Sequence, residues 1–291
     1  MMLKLGSRRY NLIAITAVAL LYLGAVSVFW VGYSHAALLG FFFFAYLRGF
    51  GITAGFHRYF CHGSFRTSRL GQFLLAFLGA GAMAGSPLGW VATHLFHHRY
   101  SDQEEDFISP VHRGFWWTQL SLWAYYEHPW KLERVTKFDA FPEIQWLNRN
   151  WMLAPLLFAC LTYGLGEGLQ RFYPEWGTNG LQMLVWGFCL STLYFYHLIG
   201  MVNSWCHLTG NKPFATKDNS RNNFLIGLLA MGEGWHNNHH RFPSSERQGL
   251  RWWEVDLSHY VLTLLSWVGL VSDLKQPQPE EISQAAAKNT G

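Results

Sequence analysis

The chain has little charge. Only 14% of its 291 residues are Asp, Glu, Lys or Arg, while 50% are hydrophobic. Residues 10–47, 70–93 and 176–211 contain no charged side chain. Water-soluble domains are about 25% charged, so this deficit points to a membrane protein. The four cysteines, Cys61, Cys160, Cys189 and Cys206, form no close-spaced pair, which argues against a disulfide framework. A net charge of only +4, with no dense basic run, argues against a nucleic-acid partner. No small-residue cleavage site follows the first apolar run, so that run is expected to be retained as a span. The length permits one large domain or two small ones. The expectation is a single membrane domain over residues 1–274 and an unstructured Gln/Pro/Ala-rich tail over 275–291.

A membrane span needs about 20 apolar residues. Residues 10–47 are long enough for two, at about 11–31 and 36–56, joined by a turn at Gly32-Tyr33-Ser34-His35. Residues 151–169, bent at Pro155, and 181–201 supply two more. The last helix is expected to continue past the membrane to Asn203 and His207. The uncharged run 70–93 is long enough to cross, but Gly71, Gly79, Gly81, Gly85, Pro87 and Gly89 break it. It is expected to form an interfacial or partly re-entrant helix with both ends on one face. Residues 99–149 are expected to lie on the membrane surface, and 255–271 to form an amphipathic surface helix. The expected fold class is therefore all-α: four transmembrane helices under a cytoplasmic helical cap. With both termini cytoplasmic, all of the 22 lysines and arginines except Arg171 fall inside, as the positive-inside rule requires.

Fourteen histidines are present, and eight of them fall into three boxes. These are His57-Arg58-Tyr59-Phe60-Cys61-His62, His94-Leu95-Phe96-His97-His98 and His236-Asn237-Asn238-His239-His240. Spacings of three and four place imidazoles along one helical turn. Neutral imidazole ligates iron, copper and zinc, and this many ligands exceeds what one structural ion needs. The layout brings all three boxes to the cytoplasmic face. A dinuclear redox metal site beside a lipid substrate follows, with iron and O2 as the natural pair. The 23 Phe, 15 Trp and 13 Tyr could line an acyl chain, although most are expected to serve packing and interface belts.

The boxes resemble those of membrane fatty-acyl desaturases of the stearoyl-CoA desaturase type. Gly55-Phe56-His57-Arg58-Tyr59, Arg113-Gly114-Phe115-Trp116-Trp117 and Gly232-Glu233-Gly234-Trp235-His236-Asn237 agree as well. So does Asn203-Ser204-Trp205-Cys206-His207, which adds a ninth histidine. The resemblance implies a delta-9 desaturase that inserts a cis double bond with O2, two electrons and two Fe2+ ions. One iron would take His57, His62, His94, His98 and His239. The other would take His97, His207, His236 and His240, with Asn203 acting through a water. Asp102, Asp106, Glu233 and Asn238 are candidates to orient these imidazoles. Trp90 stands where family members bend the acyl chain. His197, an ionisable group inside the last span, is expected to meet the substrate channel. His35, His112, His128 and His259 are given no metal role.

The same resemblance implies a separate electron donor, ferredoxin-like or cytochrome-b5-like, with its reductase. The acyl substrate would be carried by CoA, a lipid or acyl carrier protein. Ala92, Tyr126-Glu127 before His128-Pro129, and Asp106-Phe107-Ile108 replace the acyl-CoA branch's headgroup residues. The short chain and Arg247-Gln248-Gly249-Leu250-Arg251-Trp252-Trp253-Glu254 look more like the bacterial branch, and so a bacterial inner membrane. Two other readings compete: a histidine-box hydroxylase or ketolase, and a metal transporter.

Overall fold

The computed structural model describes residues 2–5, 8–120 and 135–287. Tyr126-Glu127 and His128 therefore lie outside the described residues. Two short antiparallel sheets accompany the helices. One pairs β1 (Met2–Leu5) with β2 (Arg8–Asn11), and the other pairs β3 (Arg66–Thr67) with β4 (Val271–Ser272).

The helices that place the site are α1 (Leu12–Val26), α2 (His35–Cys61), α3 (Arg69–Gly81), α4 (Pro87–Tyr100), α5 (Pro142–Arg149), α6 (Leu153–Phe172), α7 (Gly180–Leu208), α8 (His236–Arg241), α9 (Leu257–Trp267) and α10 (Pro279–Ala287). Ser34 and Ser68 cap α2 and α3, each accepting a hydrogen bond from the backbone amide three residues on. Pro87, at the first position of α4, needs no amide partner there.

Four spans were expected; among the described residues two helices, α2 and α7, are long and apolar enough to cross. The expected third span, 151–169, falls on α6, which forms a pair with α5 bent by 75°; the number rises to three if that pair crosses as one. The expected first span, about 11–31, is covered by α1 and a further short helix, Val28–Val31.

Residues 70–93 split into α3 and α4 around a turn at 82–86, where Met83 and Gly85 take positive φ. His62 and His94, at the two ends of this run, approach to 3.1 Å. The run therefore returns to the face it left. It crosses α2 where Gly51 meets Gly79: a Cβ on Gly51 would fall inside the backbone of Gly79. Only hydrogen side chains allow that approach.

Arg48 of α2 ties the bundle together and is 1% exposed. Its guanidinium donates to the carbonyls of Phe44, Gly81 and Gly187 and to the hydroxyls of Thr192 and Ser191. The rings of Phe158 and Phe188 lie within 5.5 and 5.2 Å. α2, the end of α3, α6 and α7 thus share one buried cation. All five of its N–H groups are satisfied by neutral oxygens.

The surface segment 99–149 departs from expectation at helix Phe115–Leu120. Gln119 is buried there and donates to Ser204 of α7. The tail also differs. Lys275 and Gln276 are hydrogen-bonded to the protein body, and α10 follows. Its polar composition hid backbone pairing, which needs no apolar side chain.

Candidate metal centre

From Gly51 to Cys61, α2 is wound as a π-helix. In an α-helix, two side chains five residues apart lie about 140° apart. The wider winding closes hydrogen bonds between residues five apart, as from the His62 amide to the His57 carbonyl at 3.3 Å. His57 and His62 therefore face the same way, with ring centroids 5.1 Å apart.

The other two boxes each divide between two groups. On α4, His94 and His98 turn to one group and His97 to the other; on α8, His239 joins the first, and His236 and His240 the second. His207 of α7 completes the second. Within each group, His57, His62, His94, His98 and His239 or His97, His207, His236 and His240, one nitrogen per ring lies within 4.8 Å of all the others. The groups adjoin: the rings of His98 and His240 stack at 4.6 Å.

Carboxylates hold four rings from behind. Asp106 accepts from His97 Nδ1 at 2.8 Å, Asp102 from His207 Nδ1 at 2.9 Å, and Asp218 from His240 Nδ1 at 2.6 Å. Glu233 pairs with His57 Nδ1 and also accepts from Arg58 and Gln248. A proton held on Nδ1 leaves the Nε2 lone pair pointing inward. His57 Nε2 then faces His239 Nε2 at 2.9 Å, and His207 Nε2 faces His236 Nε2 at 3.0 Å. His97 Nε2 and His240 Nε2 are buried with no hydrogen-bond partner. Converging lone pairs and orphaned buried acceptors are what a bound cation would satisfy, so the residues fit a metal pair.

Burial pushes His62, His94, His98, His236 and His239 well below the usual histidine value, and neighbouring imidazoles add to it. Burial takes His240 down to about 4, although Asp218 opposes the shift. Burial also lowers His97, but Asp106, helped by the charges of Asp102 and Asp218, more than offsets this and the net shift is upward. Most of the cluster is therefore neutral near pH 7, the form that ligates metal.

The remaining expected residues separate by place. Trp90 stacks on His94, with centroids 5.0 Å apart and planes at 9°, beside the first group. Asn203 sits one turn before His207 on α7, half-buried. His197 lies ten residues before His207, about 15 Å along the helix, where it meets Tyr22 Oη at 2.7 Å and Gln119 at 3.2 Å. His35 starts α2, His112 binds the Asp102 carbonyl, and His259 pairs with Glu246. Asn238 orients no imidazole. It binds Asn222, Glu254 and the Gln248 carbonyl, and so fixes the loop behind α8. Asp218 was not anticipated. The available signal was an acid in the polar segment between His207 and the third box.

Residues 29–265 match the fatty acid desaturase family. The chain belongs to this family. It is an oxygen-dependent fatty-acyl desaturase, an oxidoreductase. It is 36% identical over 245 residues to Delta-9 acyl-lipid desaturase 2 of Arabidopsis thaliana, covering 84% of this chain and 76% of that one. It is 34% identical over 267 residues to the Acyl-CoA C20 Delta5-desaturase of Anemone leveillei, covering 90% and 78%. Delta-9 acyl-lipid desaturase 1 of Arabidopsis thaliana is 35% identical over 233 residues, covering 80% and 73%. All three are plant proteins, and they lend no support to the expected bacterial branch.

Proposed function

We propose that this desaturase holds two iron ions and inserts a cis double bond at the ninth carbon of a saturated acyl chain. His57, His62, His94, His98 and His239 hold one ion. His97, His207, His236 and His240 hold the other, with Asn203 acting through a water. The observation that carries this reading is the division of nine imidazoles, six of them buried and three half-buried, into two adjoining groups, with four rings pinned from behind by carboxylates. The iron pair, when bound, supplies the activation of O2 that removes hydrogen from an unactivated carbon chain. Overall, two hydrogens leave the chain, and O2 with two electrons and two protons becomes two waters.

The protein's own part is to hold and to exclude. The carboxylates favour the Nδ1–H tautomer in four of the nine rings, so these four need not turn when metal binds. Trp90, stacked on His94, forms a wall against which the chain bends beside the first group. Its flat ring packs against methylene groups without offering them a polar atom. Residue His197 borders the deeper part of that channel. The Lys/Arg bias supports a cytoplasmic site and cytoplasmic termini. The electrons come from a separate ferredoxin-like or cytochrome-b5-like carrier. The acyl group arrives on a lipid, CoA or acyl carrier protein; relatives bear both acyl-lipid and acyl-CoA names.

Expression in a host without its own desaturase, followed by fatty-acid analysis of lipids and thioesters, tests this. The expected product has lost two hydrogens at carbon nine, and His239→Ala makes none. A product that has gained oxygen, or an active His239→Ala variant, would sink the reading.

A further inference from the structure

The family match ends at residue 265, yet the chain beyond it returns to the metal centre. The Thr67 hydroxyl donates to the Leu270 carbonyl at 2.9 Å. β4 pairs with β3, and Asp273 meets Arg66 at 3.1 Å. The Lys275 amide donates to the Ser64 carbonyl at 2.9 Å, and the Lys275 carbonyl accepts from the Glu246 amide at 2.8 Å. The Gln276 side chain donates to the Glu246 carboxylate at 2.7 Å. Ser64 lies two residues after His62, and Glu246 six after His240. Residues 270–276 thus stitch the segment leaving the first box to the segment leaving the third.

From Glu246 the connection reaches a ligand. Glu246 is fully buried, and its backbone carbonyl accepts from Arg58 at 2.5 Å. Arg58 donates to Glu233 at 3.1 Å and to Asp256 at 3.0 Å, and Glu233 holds His57. The carboxylates behind the second group have other supports. Asp102 accepts from Ser109 and the Asn219 amide, and Asp218 from Thr216 and Ser220.

We infer that residues 270–276 are a strap that positions the ligands of the first group, His57 and His62, and leaves the second group untouched. The inference rests on the reading that both groups hold metal. Its mechanical half, that the strap orders the first box, can be tested without metal.

The test uses the full-length chain in detergent carrying Lys275→Pro and Gln276→Ala. These remove the amide donor to Ser64 and the side-chain donor to Glu246, and the Lys275 side chain is exposed. Two quantities are read: Co2+ bound per chain by titration, and hydrogen–deuterium exchange of the metal-free protein. The unmodified chain should bind two ions. In the variant one ion should bind about 10–100-fold more weakly, the usual scale for lost support behind a ligand, and the other unchanged. Exchange should rise at residues 57–64 and stay unchanged at 97–106. A chain ended after Gly269 should show the same pattern more strongly, and one ended after Pro277, which keeps the strap, should match the unmodified protein. Two ions bound with unchanged affinities, or exchange that rises equally in both segments, overturns the strap. An unmodified chain that binds no metal overturns the metal reading instead, and exchange alone then decides the strap.

Discussion

The two imidazole groups lie side by side, but they are supported in opposite ways. The first has five rings and one carboxylate behind them, Glu233, which is itself held by the buried Arg58. Its geometry comes from helix winding, above all the π-turns around His57. The second has four rings and three carboxylates, Asp102, Asp106 and Asp218, all from loop segments. In the first group one ring of five, His57, has an anion behind it. In the second, three rings of four do, and His236 is the exception.

This contrast can be broken in stages. His239→Ala removes a ring that contacts both His57 and His98, and desaturation should fall to nothing by product analysis. Arg58→Met should come next. It leaves Glu233 and Asp256 buried without their shared cation, at a cost of about 3–5 kcal/mol by the usual scale for broken buried pairs. Unfolding in detergent would show this, and metal loss should begin at the first group. An unchanged melting profile would mean that Arg58 does not hold the group. Asp218→Asn acts only on the second group, through His240. One of the two bound ions should weaken about 10–100-fold, measured by titration, with the other unaffected. If both weaken together, the groups are not independently supported.

The smallest expected effect is that of pH on the metal-free chain. Six rings, His62, His94, His98, His236, His239 and His240, have folded values below the unfolded histidine value of 6.5. Their neutral forms favour folding, so this stability is present above about pH 6.5 and is lost as pH falls toward 4. His97 is shifted upward and opposes the trend, but it is one ring against six. Melting temperatures of the metal-free protein should fall from pH 7.5 to pH 5, and bound metal should steepen the slope, because ligation keeps the rings unprotonated in the folded chain. A metal-free protein that melts highest at pH 5 would contradict the assignment of neutral rings.

Eight of the nine clustered imidazoles were legible as histidines at short spacings in the three boxes. His207 and the candidates Asp102, Asp106 and Glu233 came with the resemblance to the desaturases. The spacing of His57 and His62 also carried information not used: five residues do not share an α-helical face, so the pair required another winding. Asp218 was hidden because it meets His240 only through the fold of its loop. Asn238 misled because a buried amide beside a box has several backbone partners to choose from. The spans were harder, since hydropathy marks apolar stretches but not their bends. α6 follows a 75° break that Pro155 did not place. The strap left no mark in composition, because its bonds are mostly backbone.

Arg48 carries a consequence for how the chain is assembled. Its last partners, Ser191 and Thr192, lie 143 and 144 residues further along. When α2 leaves the ribosome its guanidinium has only Phe44 within reach, and an arginine at the centre of a lone span costs about 2.5–3.5 kcal/mol. α2 is therefore expected to sit shallower before α7 is made, with the cation in the headgroups, and to descend once Ser191 and Thr192 can accept its hydrogen bonds. Glycosylation-distance mapping of nascent chains stopped before and after residue 192 would register that descent as a shift in the depth of α2.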